Sequence, residues 1–240
     1  MMRPNWVEKQ IRPVIPWWTP SEHTMLYIPM DTTYGTTDQS QYHRTYTVSW
    51  LTHTTYGWVD CYQNSNWSIN LWTSAYTWLA PSSLEATYSF WVYPTSFSNY
   101  SNMFGWAVQN KYFYNIWRVS NKIWIDWWNP NQTEWSAYGT QWYANWWHLF
   151  VWIITWWRDY LYVDGNLVAD NTSYSLSQIA NNGFGAWHIN SQNGVYLFAS
   201  RNNTDRWSWY VWQIVFEDKA RTATDIQNYY NQTKSLYWIS

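Results

Sequence analysis

Residues 148–168 read HLFVWIITWWRDYLYVDGNLV. Two runs of strand-forming residues, HLFVWIIT and RDYLYV, flank only Trp156 and Trp157, so the two runs can pair only as an antiparallel hairpin. A second turn, Asp164-Gly165-Asn166, returns the chain into LVAD. Three strands are thereby laid side by side in the sequence itself. The second turn has the expected chemistry, since two-residue hairpin loops need positive φ at one or both central positions and Asp-Gly supplies it cheaply. The first does not, because a bulky indole in that conformation is a steric outlier.

Short apolar alternations with period two, separated by Asn, Ser, Thr and Gly, recur along the rest of the chain. They predict strands at 24–30, 45–50, 68–72, 86–94, 101–108, 112–119, 122–128, 148–155, 158–163, 195–200 and 210–218. One segment, TATDIQNYYNQTK (222–234), has helical spacing through Ile226, Tyr229 and Tyr230. Thr222 is its expected N-cap, with Asp225 three residues on in a capping-box arrangement. Many short strands and one terminal helix predict an all-β, two-sheet antiparallel sandwich. Residues 1–23, with prolines at Pro4, Pro13, Pro16 and Pro20, read as an irregular lead-in, and residues 24–240 as one domain.

Charged residues are 12% of the chain and the formal net charge is −2. Neither a basic stripe for nucleic acid nor an acidic tail is present. The single cysteine, Cys61, excludes an internal disulfide framework and any zinc cluster built on cysteines. No signal-peptide core is visible in the first residues, and no apolar stretch is long enough to span a bilayer as a helix.

The second half of the chain resembles a known family. NWWHLFVWIITWWRDYLYVDGNLVAD is similar to the central signature of the laminin-G-like, concanavalin A-like lectin/glucanase superfamily. There a Trp-His pair, here Trp147 and His148, opens one strand. The next ends in Tyr162-Val163-Asp164-Gly165. TYSFWVYP (87–94), with Trp91, resembles an earlier strand of that family, MLYIPMD (25–31) its opening strand, and YVWQIVFEDKARTATDIQNYY its closing strand and helix. The resemblance covers roughly residues 24 to 232. It implies a jelly-roll sandwich that binds glycans or surface proteins in adhesion, sometimes with calcium, outside the cell or on a cell or particle surface. A non-catalytic role is expected from the missing catalytic pattern, with a glycoside hydrolase as the third class weighed. A second function class on the same fold is a structural surface-layer or virus-particle protein that uses the jelly roll for protein contacts.

Against that pattern the tryptophans are misplaced. The chain has 26 of them and only 8 glycines in 240 residues, under half the roughly 7% glycine of average proteins. Trp58, Trp67, Trp146, Trp156, Trp157, Trp209 and Trp212 stand at turns or where small residues are usual, whereas Trp91 and Trp147 fall where the family carries tryptophan. Excess tryptophan, missing glycine and indoles at positive-φ positions together predict that many of these residues are glycine in the native protein, encoded by a reassigned UGA codon.

Catalytic patterns are scarce. Glucanases of this superfamily use Glu-x-Asp-x-x-Glu on one strand, where alternate positions hold two carboxylates at a short separation. None of Glu8, Glu22, Glu85, Glu134 or Glu217 begins it. There is no Gly-x-Ser-x-Gly elbow and no His-Glu-x-x-His spacing. Asp31, Asp60, Asp126, Asp164, Asp170 and Asp218 lie near predicted strand ends, where each could offer oxygen to calcium or cap a turn. The clearest polar-aromatic stretch for a ligand is Asp126-Trp127-Trp128-Asn129, since indole faces stack on sugar C–H groups and Asp and Asn bond hydroxyls. The plainer alternative places Trp127 or Trp128 in the sandwich core.

Overall fold

A computed structural model describes residues 20–48, 51–57, 59–65, 69–70, 85–97, 102–108, 112–119, 122–128, 134–139, 143, 145–155, 158–171, 194–197 and 207–237. The strands are β1 (Thr24–Ile28), β2 (Thr47–Val48), β3 (Thr52–Tyr56), β4 (Val59–Ser65), β5 (Ile69–Asn70), β6 (Ala86–Phe97), β7 (Asn102–Val108) and β8 (Tyr112–Val119). They continue with β9 (Lys122–Trp128), β10 (Glu134–Tyr138), β11 (His148–Ile154), β12 (Asp159–Val163), β13 (Asn166–Asn171), β14 (Gly194–Leu197) and β15 (Trp207–Glu217). Helix α1 (Ala223–Thr233) follows and runs into a 3-10 turn at Lys234–Tyr237.

Two antiparallel sheets result. The first has eight strands in the order β13-β12-β11-β6-β15-β4-β3, with β1 beside β15; the second has seven, β10-β9-β8-β7-β14-β5-β2. This is the all-β jelly-roll sandwich with one short helix that the sequence predicts. The expected strands are found within a few residues of their limits. Three that the sequence did not single out are β3, β4 and β10; β3 and β10 are edge strands, and THTTY is polar at most positions.

The first sheet is buried on both faces along its middle. Inward, toward the second sheet, Tyr88, Phe90, Phe150, Trp152, Ile214 and Phe216 are fully buried. Their register explains the grouping: Phe90 stands between Phe150 and Ile214, and Tyr88 between Trp152 and Phe216. Outward, the alternate residues Trp91, Leu149, Val151, Ile153 and Val215 join Val59, Cys61 and the helix residues Ile226 and Tyr229 in one cluster. Each fully buried side chain of this size contributes about 1.5–3 kcal/mol. Trp209 (1% exposed) and Trp212 (9%) are buried too. Both sit where the register of β15 against β6 shifts, and Trp212 is the residue skipped between Val211 and Gln213.

The turn at Asp164-Gly165 has φ of +53° and +81°, the two positive values of a type I′ hairpin. The Asp164 carboxylate accepts the Leu149 N–H at 2.9 Å and contacts His148 Nδ1 at 2.6 Å, tying the turn to the start of β11. Trp156 and Trp157 lie outside the described residues; the residues that bracket them are joined, with the Thr155 N–H donating to the Arg158 carbonyl at 2.8 Å.

Helix α1 starts as predicted. Thr222 is the N-cap, its hydroxyl accepting the Asp225 N–H at 3.1 Å while the Asp225 carboxylate accepts the Thr222 N–H at 3.0 Å. Burial opposes the Asp225 charge, but the Thr222 hydrogen bonds outweigh it and hold the carboxyl below its usual value. The helix is pinned to β15 by the Tyr229 hydroxyl, which donates to Gln213 Oε1, and by Arg221, which donates from Nε and Nη2 to the fully buried Glu217 carboxylate. Burial pushes Glu217 up from the ordinary carboxylate range, and Arg221 only partly offsets it.

Two outcomes follow from these contacts. Gly165→Ala forces a Cβ into a positive-φ position and toward Gln227, 2.7 Å away, and should lower stability by about 1–2 kcal/mol in a urea titration. Arg221→Met strands a buried carboxylate and should cost about 3 kcal/mol near neutral pH. Because the Glu217 pKa is raised in the folded state, protonation relieves that cost. The deficit should therefore be smallest below the ordinary carboxylate range and grow as pH rises through the Glu217 value, as read from melting curves at a series of pH values.

Candidate functional site

Carboxylates come first, because a hydrolase would need two of them in a cleft. Among the described residues, Glu217 is sealed under Arg221, and Asp218 faces His23 at 3.0 Å. Asp159 is buried and accepts the Trp152 indole N–H at 3.0 Å. Asp38, also fully buried, accepts the N–H groups of Tyr27, Ser40 and Arg44 at 2.7–2.9 Å and so shapes the 31–46 loop. Each is spent on holding the fold.

Of the aspartates weighed for calcium, Asp31, Asp60, Asp164 and Asp170 are engaged in the same way. Asp31 accepts the N–H groups of Thr33 and Tyr34 at 2.9 and 2.8 Å, and Asp60 accepts the Thr32 N–H at 2.7 Å while contacting His53. Asp164 braces its own hairpin, and Asp170 lies 3.7 Å from Arg158. No group of three His, Cys, Asp or Glu side chains converges among the described residues. His148 opens β11 beside Asp164, a bracing role rather than that of a free base.

Of the residues expected to contact a ligand, Asp126, Trp127 and Trp128 are the last three positions of β9, and Asn129 lies outside the described residues. Asp126 is paired in register with Asn115 of β8 and Ser136 of β10, and Trp127 with Tyr114 and Trp135. The stretch is thus strand up to Trp128 rather than loop. Ile123 and Ile125, earlier on the same strand, are fully buried.

A different aromatic group was not found by sequence reasoning. Tyr56 of β3 and Tyr210 of β15 stack with ring centroids 4.1 Å apart and planes 16° from parallel. Tyr93 of β6 meets both edge-on, at 4.6 and 6.0 Å, and Trp147 lies 5.9 Å beyond it. The three tyrosines are half-buried on the outer face of the first sheet. Burial raises the phenol of Tyr93 to about 12, with Tyr56 adding to the effect, and raises that of Tyr210. The signal was faint because the residues come from strands 37 and 117 positions apart along the chain (56 to 93, 93 to 210) and meet only through strand order.

Helix α1 covers the other half of that face. Beneath it, Thr87, Ser89, Val151, Arg221, Asp225, Ile226 and Tyr229 line a small, partly open pocket. Among the described residues no helix is long and apolar enough to cross a membrane.

No protein-family model and no curated protein matches the chain. Solved structures do. The botulinum neurotoxin type G receptor-binding domain superposes with a TM-score of 0.61 at 15% identity, covering 87% of this chain and 51% of that one. The binding domain of botulinum neurotoxin DC in complex with SialylT gives 0.63 at 13%, covering 90% and 52%. This chain thus spans about half the length of those toxin domains. Domain 4 of AbnA, a GH43 extracellular arabinanase from Geobacillus stearothermophilus, in complex with arabinotriose, gives 0.64 at 10% identity, covering 86% of this chain and 98% of that one. At these identities what the chain shares with them is the fold, a β-sandwich found in binding domains.

Proposed function

We propose that residues 24–240 form a non-catalytic, laminin-G-like recognition domain for carbohydrate, acting outside the cell or at a cell or particle surface. The observation that carries this reading is the match to the arabinanase domain, which extends over 98% of that domain's length and whose structure holds arabinotriose. Fold likeness alone transfers no ligand, but the engagement of Asp38, Asp159, Glu217 and Asp218 in braces and ion pairs supports recognition over hydrolysis. Asp126, Trp127, Trp128 and Asn129 remain one candidate contact set within it, at the end of β9.

Part of the tryptophan complement, we also infer, stands for glycine. Trp212 occupies the extra position of a bulge in β15, and Trp146, half exposed, follows Asn145 at φ +57°. A bulge inside a strand is a place where glycine occurs. Reading the gene decides this: UGA at Trp156, Trp157 and Trp212 supports it, and UGG at all three disposes of it.

A glycan array probed with protein translated to match its native codons tests the carbohydrate reading. Saturable binding to a defined oligosaccharide class is expected, and arrays run with and without a calcium chelator read any calcium requirement. A blank array together with ordered self-assembly on size-exclusion chromatography would replace it with the structural surface or particle role.

A further inference from the structure

We propose that the ligand platform is the open half of the outer face of the first sheet, built from Tyr56, Gln63, Tyr93 and Tyr210, and that its ligand is an uncharged oligosaccharide. This assignment rests on the carbohydrate reading above and gives it a place and a ligand class.

The strand register builds the surface. Tyr210 pairs with Tyr93 on one side and Gln63 on the other, and Gln63 pairs in turn with Thr52. Alternation then sets Thr52, Thr54 and Tyr56 of β3 on the same face as Val59, Cys61 and Gln63 of β4. Val59 and Cys61 are buried in the outer cluster with Tyr56, Tyr93 and Tyr210 packed against them. Thr52 and Gln63 are exposed. The result is a floor of apolar atoms, stacked phenol rings above it, and hydroxyl and amide groups at its edge.

Charge is sorted away from this surface. The ionisable residues of the same hairpin, His53 and Asp60, occupy the alternate positions and pair with each other on the opposite face. Glu217, at the far end of β15, is sealed under Arg221. An ionic ligand would find no counter-charge among the described residues of this half-face. A neutral sugar finds what it needs: ring faces for its C–H surface, and phenol hydroxyls and an amide that both donate and accept for its hydroxyl groups. The platform includes no tryptophan whose identity depends on the codon question.

Isothermal titration of the full chain with arabinotriose, xylohexaose and sialyllactose tests the assignment. A neutral probe should bind, with affinity unchanged between low and high salt. Tyr210→Ala and Gln63→Ala should each weaken it by about tenfold, the effect of losing one well-packed contact, while Tyr210→Phe, which keeps the ring, should lose less. Gln63 is exposed, so its variant tests the site even where Tyr210→Ala does not fold. Wild-type affinity in Gln63→Ala and Tyr210→Ala would move the site elsewhere and leave the carbohydrate reading standing. Binding of sialyllactose alone would overturn the neutral-ligand class, and binding of no probe, together with a blank array, would overturn both.

Discussion

The structure depends on β6 being buried from both sides. It is the strand that pairs with both β11 and β15, and successive residues along it serve different partners. Tyr88 and Phe90 pack toward the second sheet, whereas Ser89 and Trp91 lie under the helix and the outer aromatic cluster. A one-residue slip would exchange the two sets and place Thr87 and Ser89 in the sandwich interior. Everything else takes its position from that choice. The inward face fixes where the second sheet lies, and the outward face fixes where α1 docks. What α1 leaves uncovered is the part of the sheet where Tyr93 stands.

The same division explains how polar groups are tolerated at depth. Asp38, Asp159 and Glu217 are all buried, and each receives donors: backbone N–H groups, an indole and a guanidinium respectively. Buried carboxylates without such donors would destabilise the sandwich by several kcal/mol. Their engagement also limits function, since a carboxylate held this way is not available to activate water or attack a sugar.

Much of the fold was legible in the sequence because it is written in local signals. Period-two alternation located β6, β8, β9 and β11 closely, Asp164-Gly165 announced its hairpin, and Thr222 with Asp225 marked the start of α1 to the residue. The edge strands β3 and β10, and β4 beside β3, were missed because apolar alternation in them is short or absent. The bulge at Trp212 was visible only as a residue that did not suit its place. The tyrosine platform was illegible for a different reason. Its members are 37 and 117 residues apart along the chain, and only the order β6-β15-β4-β3 sets them side by side. In the Asp126–Asn129 stretch, Asp126, Trp127 and Trp128 belong to a paired strand, as the expected strand at 122–128 already had them.

Cys61, the sole cysteine, lies fully buried on β4 beneath the tyrosines. Its thiol can meet a reagent in solution only when that part of the sheet opens. The rate at which it is modified is therefore a clock for local opening of the outer face, separate from global unfolding. A ligand resting on the rings above it would slow that clock without touching the sulfur.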